Sequence, residues 1–396
     1  MEIDTFAHSW EVIGDILKEP ELTDGILVET TLPIYYRSSA YNCKVLILDG
    51  KIVAIRPKIF MADGGNYRES RYFSNYKPKN DFMLEEFLLP EYIEAINGQR
   101  TVPFGLFNIR TRDDVAIGLE ICEEVWRLNT ITRNFILDCD VVFCSNGSCF
   151  SLNKLNTRIK CVNSRTSSSY SGAYFYTNSI GCDGGRLLFD GSNFVIQNQD
   201  VINVGESCPL NEVVVTPIVL DIGAIQSKRL GNINDMRETA LLDRNIPEIV
   251  INFNFCIPHD EGFVPLTKMK VPFKIDPEPV QLLNVLTSYL WDYLKKASAS
   301  GFMLALSGGA DSGLTAALVY HFCHKLMDYL TNRGPKIREE ILGYLRVIVK
   351  IPDFDPKNAG EIIEKILYTA YLGTKVSGDE TRNRAMLLAE QLGIHH

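Results

Sequence analysis

GLEICEEVW, residues 118–126, decides how this chain is read, because a run of apolar side chains ends there in a cysteine followed by two acids. Asp114 to Ile121 has the branched, apolar character of a buried strand, and Glu123-Glu124 gives the acidic first turn expected of a helix. The pattern predicts a strand that delivers Cys122 to a strand-to-helix turn. A thiol there lies near backbone N–H groups and the positive end of a helix, which favours thiolate and can stabilise an oxyanion. Taken alone, a cysteine in apolar surroundings is more often a small buried hydrophobe than a nucleophile. The reading shifts with IRPKIFMADGGNYRE, residues 55–69, in which Lys58 follows a strand and precedes a glycine-rich loop. A lysine facing the cysteine would stabilise both its thiolate and the tetrahedral oxyanion of an acyl transfer.

Composition bounds the remaining classes. With 396 residues, 46% hydrophobic and 22% charged, the chain is globular and long enough for two domains. It has no apolar run of membrane-spanning length. The opening MEIDTFAHSW has neither the basic nor the apolar region of a secretion signal, so a cytoplasmic protein is expected. A net charge of −9 argues against nucleic acid as a partner, since nothing would neutralise phosphates. Ten cysteines without a CxxC pair read as free thiols, and the even spacing of Cys139, Cys144 and Cys149 matches neither a helix face nor a zinc knuckle. His321 and His324 share a helix face without an accompanying carboxylate or cysteine set, which leaves them as solvated histidines.

Along the chain, Asp4 is a candidate cap for a helix with the apolar stripe Phe6, Trp10, Ile13 and Leu17, ended by Pro20. Residues 25–32 read as a strand. Asn42 to Leu48 and Lys51 to Arg56 are apolar runs joined by Asp49-Gly50, a tight-hairpin signal that feeds Lys58 directly. Further strands are expected at 140–144, 172–179 and 213–222, with the Gly-rich 181–186 between the last two; together they predict a layered sheet sandwich faced by helices. Residues 258–279 carry five prolines and read as a linker, followed by an amphipathic helix through Leu283, Leu286, Leu290 and Leu294.

Phe302 to Leu306 is then a short strand that runs into Ser307-Gly308-Gly309-Ala310-Asp311-Ser312 and a helix through Tyr320. Glycines there let a backbone approach a ligand, the serines offer hydroxyls, and the helix start presents N–H groups to an anion. Asp311 suits such a site if a cation accompanies the anion, with Mg²⁺ bridging carboxylate and phosphate. The loop lacks the GK[ST] ending of a Walker P-loop, so a γ-phosphate cradle is not the template.

Lys58 and Cys122 match two of the three working groups, Glu, Lys and Cys, of the nitrilase or carbon–nitrogen hydrolase superfamily, which the first stretch resembles. SGGADS resembles the pyrophosphate loop of the N-type ATP pyrophosphatases. Both in this order, joined by one linker, resemble glutamine-dependent NAD⁺ synthetase along essentially the whole chain, including YNCKVLILDGKI, GCDGGRLLFDG, WDYL and TRNRAMLLAEQLGIHH. The resemblance implies an α/β protein. A nitrilase-like αββα sandwich would occupy residues 1–257, the linker 258–279, and the first part of an adenine-nucleotide-hydrolase-like, Rossmann-like parallel-sheet domain 280–396. It also implies a homo-oligomeric ligase. Glutamine would be hydrolysed in the first domain, and the second would use ATP and Mg²⁺ to adenylate nicotinic acid adenine dinucleotide and put ammonia in place of AMP.

Carried over residue by residue, the resemblance makes Cys122 the glutaminase nucleophile and Lys58 its electrostatic partner. Tyr67, Glu123 and Ser148 become glutamine-binding positions, and Ser307, Gly308, Gly309, Ala310, Asp311 and Ser312 the ATP loop, with Asp311 on the metal. The chain is shorter than the family between Ser148 and Asn156-Thr157-Arg158, which leaves Lys154 as the candidate contact for a glutamine carboxylate. The family's general-base Glu would precede residue 1, and the rest of the ligase sheet would follow residue 396, so both centres are expected to be partial. None of Glu2, Glu11 or Glu19 has a comparable setting, and Glu120 and Glu69 are the first carboxylates to consider instead. The expectation is a glutamine-hydrolysing NAD⁺ synthase impaired by truncation, with apolar surface exposed after Pro279. The alternative is a non-catalytic or glutaminase-only fragment that associates with full-length synthetase. An ATP-dependent amidotransferase for another acid would share the loop but not the GNYRE and GCDGGR similarity.

Overall fold

The structure, a computed structural model of the chain, describes residues 2–78, 83–127, 136–166, 172–231, 246–257, 266–267 and 274–396. Its first sheet starts from β1 (Val28–Tyr36), β2 (Ser39–Leu48) and β3 (Lys51–Pro57), antiparallel in sequence order. Asp49 and Gly50 turn β2 into β3 with φ of 50° and 67°, the left-handed pair that matches the twist of a hairpin. Glycine takes that conformation freely and aspartate tolerates it. With β4 (Glu85–Leu88) and β5 (Thr101–Phe104) the order becomes β1-β2-β3-β5-β4. Alternation along β2 sends Val45 and Ile47 against Trp10, Ile13 and Leu17 of the helix Ile3–Lys18 and against Ile93 of the helix Glu91–Asn97. Lys44, Leu46 and Leu48 point the other way, toward the second sheet.

That second sheet contains β6 (Asn108–Arg110), β7 (Ala116–Ile121), β8 (Val141–Asn146) and β9 (Ala173–Asn178). A hairpin of β10 (Ile180–Cys182) and β11 (Leu188–Asp190) interrupts it before β12 (Phe194–Gln197), β13 (Asp200–Val204) and β14 (Glu248–Val250) complete the order β13-β12-β9-β8-β7-β6-β14. β7, β8 and β9 run parallel, so their C-terminal ends open on one edge. Ile109, Ile117, Leu119, Val141 and Ala173 pack on Leu46, Leu48 and Ala54 between the sheets. Outside, Val142, Cys144 and Tyr174 lie under Ile159 and Val162 of the helix Lys154–Thr166. The layers are therefore helix, sheet, sheet, helix.

A separate apolar cluster surrounds the helix Ala310–Asn332, where Phe322 and Leu326 meet Trp291 and Leu294 of the helix Glu278–Lys296. Ile341 and Leu345 of Pro335–Val349, Ile362 of Ala359–Ile366 and Ala385 of Asp379–Leu392 close it. β15 (Phe302–Ala305) and β16 (Leu367–Ala370) pair in parallel beside this core. Leu367 is buried in it, whereas Met303, 81% exposed, and its register partner Tyr368, 50% exposed, leave the other face apolar and open.

Several elements differ from the expectation. The first helix is entered from Glu2, with Asp4 inside its first turn, and it ends at Lys18 while Pro20 starts a separate four-residue helix. The first strand begins at Val28 and extends to Tyr36, because pairing with β2 continues to Tyr36↔Ser39. Residues 213–220 form no strand: Val213 and Val215 alternate correctly but stand exposed, and the helix Ile222–Gly231 follows. Most of the proline-rich linker, 258–265 and 268–273, lies outside the described residues, and Glu278 already belongs to a helix. No helix among the described residues is long and apolar enough to cross a membrane.

Candidate active site

β7 ends at Ile121, and Cys122 turns away from it with φ 46°. A non-glycine residue held there stores strain of about 1–3 kcal/mol, so the surroundings must fix it. Cys122 opens a five-residue 3₁₀ helix, Cys122–Trp126, where the sequence predicted the start of an α-helix. Glu124 explains the difference. Its buried side chain folds back to accept the Ile121 N–H at 2.7 Å, while the half-buried Glu123 pairs with Arg127, 2.7 Å away. So short a helix aligns few peptide dipoles, and little stabilisation of a thiolate comes from it.

Lys58 leaves β3 fully buried, with Nζ 2.5 Å from Glu69 Oε2. Glu69 also accepts the Ala62 N–H at 2.8 Å and Asn42 Nδ2 at 3.0 Å, so its carboxylate is committed to holding Lys58 and the Gly-rich loop. Lys58, Glu69, Gly147, Asp183 and Arg186 line a cavity of about 700 Å³ with Cys122. Cys122 and Tyr67 also border a second cavity of about 450 Å³, lined by Glu123, Ser148 and Lys154. The five residues named for the glutaminase centre thus converge on two adjoining cavities that share the thiol.

In and behind the smaller cavity, Tyr67, Lys154 and Ser148 each have a partner that fixes their aim. Tyr67 Oη accepts the Cys149 N–H at 2.7 Å and donates to Cys149 Sγ at 3.1 Å; burial, then the bond to Cys149, keeps its pKa raised and the phenol neutral. Lys154 Nζ donates to the Cys149 carbonyl at 2.8 Å and lies 5.7 Å above the Tyr67 ring. Ser148 Oγ accepts from Arg158 Nε at 3.2 Å, and the Ser148 N–H donates to Asn178 Oδ1 at 2.8 Å. Arg158, fully buried, grips Asp190 through two bonds of 2.9 Å and also donates to the Ser148 carbonyl at 2.7 Å.

Burial raises the pKa of the Cys122 thiol above its usual value. The Lys58 ammonium and the Gly147 N–H offset this only in part, and Glu69 and Glu123 push it further up. The lowered pKa expected from the lysine and a helix end is therefore not found. Below a raised pKa the group stays a thiol, so attack at neutral pH requires a proton acceptor. Alkylation of Cys122 by iodoacetamide should accordingly climb with pH and still be climbing past about pH 8.5, the midpoint of an unperturbed thiol. Lys58→Met should move that midpoint higher. A rate that levels off near neutral pH would contradict the assignment.

Glu120 does not join this site. It projects from the opposite face of β7 and is bonded to Arg165 at 2.7 Å and Tyr174 Oη at 2.5 Å. Asp183 and Arg186 enter the larger cavity from the β10–β11 loop, a placement their sequence did not suggest beyond its similarity to the family. That loop is fastened to the helix Glu278–Lys296, where Asp292 accepts the Cys182 N–H at 2.7 Å and Lys296 donates to the Cys182 carbonyl.

Ser307 to Ser312 lines neither cavity. Gly309 caps the helix Ala310–Asn332, and Gly308 has φ 75° with its Cα so close to Thr381 that an added Cβ would lie 2.0 Å from the Thr381 carbonyl oxygen. The Ser307 and Ser312 hydroxyls bond each other at 3.0 Å. Asp311 is exposed in the first helical turn, and no cluster of three His, Cys, Asp or Glu ligands occurs among the described residues.

No family model matches the chain. It is 37% identical over 397 residues to the glutamine-dependent NAD(+) synthetase of Oryza sativa subsp. indica, covering 100% of this chain and 52% of that protein. Against the enzymes of that name from Saccharomyces cerevisiae and Homo sapiens it is 33% identical, again over its full length and over 55% and 54% of theirs. Among solved structures, a glutamine-dependent NAD(+) synthetase from Cytophaga hutchinsonii superposes with TM-score 0.71 at 22% identity, over 100% of this chain and 55% of that one. One from Acinetobacter baumannii superposes with TM-score 0.63 at 15% identity, over 100% and 53%. The chain is homologous to these synthetases and spans about half the length of the curated relatives it matches. Its fold is α/β, shared with these solved synthetases.

Proposed function

We propose that this chain carries the glutamine-hydrolysing chemistry of a glutamine-dependent NAD⁺ synthetase. Cys122 Sγ would attack the side-chain amide carbon of glutamine, its proton leaving with the departing ammonia. Water would then cleave the thioester to glutamate and free thiol, so one water is consumed per ammonia released. Lys58, whose ammonium faces the same cavity, would stabilise the oxyanion at each step. The observation that carries this reading is the pairing of opposite charges, Glu123 and Lys154, in the small cavity beside the thiol. An α-amino acid presents one ammonium and one carboxylate, and each side chain keeps hydrogen-bonding capacity beyond its present partner.

Ammonia release from L-glutamine without ATP tests it. Glu123→Ala and Lys154→Ala should each raise KM about tenfold or more, the worth of a charged hydrogen bond, with kcat little changed. Unaltered KM in both variants, or a chain that neither hydrolyses glutamine nor is labelled by an electrophilic glutamine analogue, would sink the proposal.

The synthase half of the reading rests on Ser307 to Ser312. An anion cradle is supported by the amides at the start of a 23-residue helix, which begin beside two serine hydroxyls. Those groups would hold the pyrophosphate of ATP, and Asp311 would take Mg²⁺, which supplies charge neutralisation. Nicotinic acid adenine dinucleotide is the acid this reading would adenylate. The open apolar face of Met303 and Tyr368 favours the alternative of association with a full-length synthetase, for which co-purification with that enzyme is the check.

A further inference from the structure

Between the two sheets, directly beneath Cys122 and Lys58, lies a charged group that the proposed chemistry does not use. Glu124 is completely buried, and its carboxylate accepts three hydrogen bonds. Oε1 takes the Ile59 N–H at 2.8 Å; Oε2 takes the Ile121 N–H at 2.7 Å and Arg56 Nη1 at 2.5 Å. Ile59 is the residue after Lys58, on the first sheet's side, and Ile121 is the residue before Cys122, on the second. The Glu124 carbonyl is itself held by Arg165 Nη1 at 2.7 Å. One carboxylate therefore clamps the backbone next to both groups, and it does so where Cys122 sits at a strained φ of 46°.

We propose that Glu124, charge-balanced by Arg56, is a positioning residue that fixes the separation of Lys58 from Cys122 across the sheet interface and so governs how readily the thiol ionises. The proposal rests on the reading of Lys58 as the electrostatic partner of a nucleophilic Cys122. Shape alone would not do the same work. A glutamine offers one acceptor oxygen and an NH₂ that cannot accept the second amide or pair with the guanidinium. An aspartate is one methylene too short to span both amides.

The sign of the effect separates positioning from direct electrostatics. Removing a negative charge near a thiol lowers its pKa through space, whereas letting the lysine drift away raises it. In Glu124→Gln, the pH midpoint of Cys122 alkylation by iodoacetamide should rise and the rate at pH 7.5 should fall about threefold to tenfold, with the high-pH plateau unchanged. In a Lys58→Met background the same substitution should produce no rise. A midpoint that falls or stays put in folded Glu124→Gln, or a rise that persists without Lys58, would overturn the proposal. Glu124→Asp supplies the comparison if the glutamine variant does not fold, with the same direction expected. If neither variant folds, the carboxylate is a determinant of folding and the proposal fails. The readout is alkylation, so a chain that does not hydrolyse glutamine would refute the proposed function and leave this test intact.

Discussion

Cys122→Ala is expected to abolish ammonia release from L-glutamine, by about 10⁴-fold or more, and to abolish covalent labelling by an electrophilic glutamine analogue. Neither neighbouring cysteine among the described residues is placed to take its place. Cys149 is turned to Tyr67 and Lys154, and Cys144 lies buried under the outer helix. Lys58→Ala should lower turnover by about 10²–10³-fold, the scale of a removed oxyanion donor, but should leave labelling measurable at high pH, where thiolate forms without help. The split follows from chemistry: labelling needs only the thiolate, while turnover also needs two oxyanions stabilised and protons carried. Ammonia release that survives in Cys122→Ala would remove the nucleophile from the proposal. Equal losses of labelling and turnover in Lys58→Ala at every pH would instead give Lys58 a packing role.

Arg158→Met should be the most damaging substitution for stability among the residues behind the small cavity. It leaves Asp190 as a buried carboxylate without its cation and frees the Ser148 carbonyl from its donor. Breaking one side of a buried pair costs about 3–5 kcal/mol, which for a chain of this size lowers the melting temperature by roughly 4–6 °C. Adding Asp190→Asn should restore part of the loss, because the unpaired charge goes with it. Thermal unfolding of both variants checks this. A drop for Arg158→Met within that of an ordinary surface substitution would show that Asp190 finds another partner.

How much of this was legible in the sequence depended on whether a signal was local. The Asp49-Gly50 turn is decided by two φ angles, and it forms as read. Lys58 and Cys122 stand at strand ends, where period-2 alternation stops abruptly, and both reach the same cavity. The Val213 to Ile222 segment has the same alternation, yet it forms no strand and Val213 and Val215 stand exposed, an outcome set by distant partners that sequence does not reveal. Glu124 shows the limit most clearly. Two consecutive acids after a strand suit an exposed first turn of a helix, yet one lines the small cavity and the other takes backbone amides from two sheets. Arg158, on a helix beside polar residues, carries no mark of burial either. Charged residues are rarely buried unless paired, and their partners lie 32 and 68 positions away in the cases of Asp190 and Arg56.

The sheet interface is ionic as well as oily, and that bears on the order of events during folding. Lys44 on β2 reaches the Phe143 carbonyl and Ser145 on β8, and Arg56 on β3 reaches Glu124 beyond β7. Each bond joins one sheet to the other. A first sheet that collapsed early would bury Arg56 before its acceptor arrived, at the several-kcal/mol penalty of an isolated ion, whereas Lys44 has a partner in its own sheet, Glu29 on β1 at 2.8 Å. The end of β3 at Arg56 is therefore expected to stay hydrated until the second sheet docks. Cys122 would acquire its strained turn and its lysine neighbour in that same closing step, so a half-folded chain is expected to contain no half-built site. A reactive-thiol probe applied during refolding would report the arrival of the two sheets as one event.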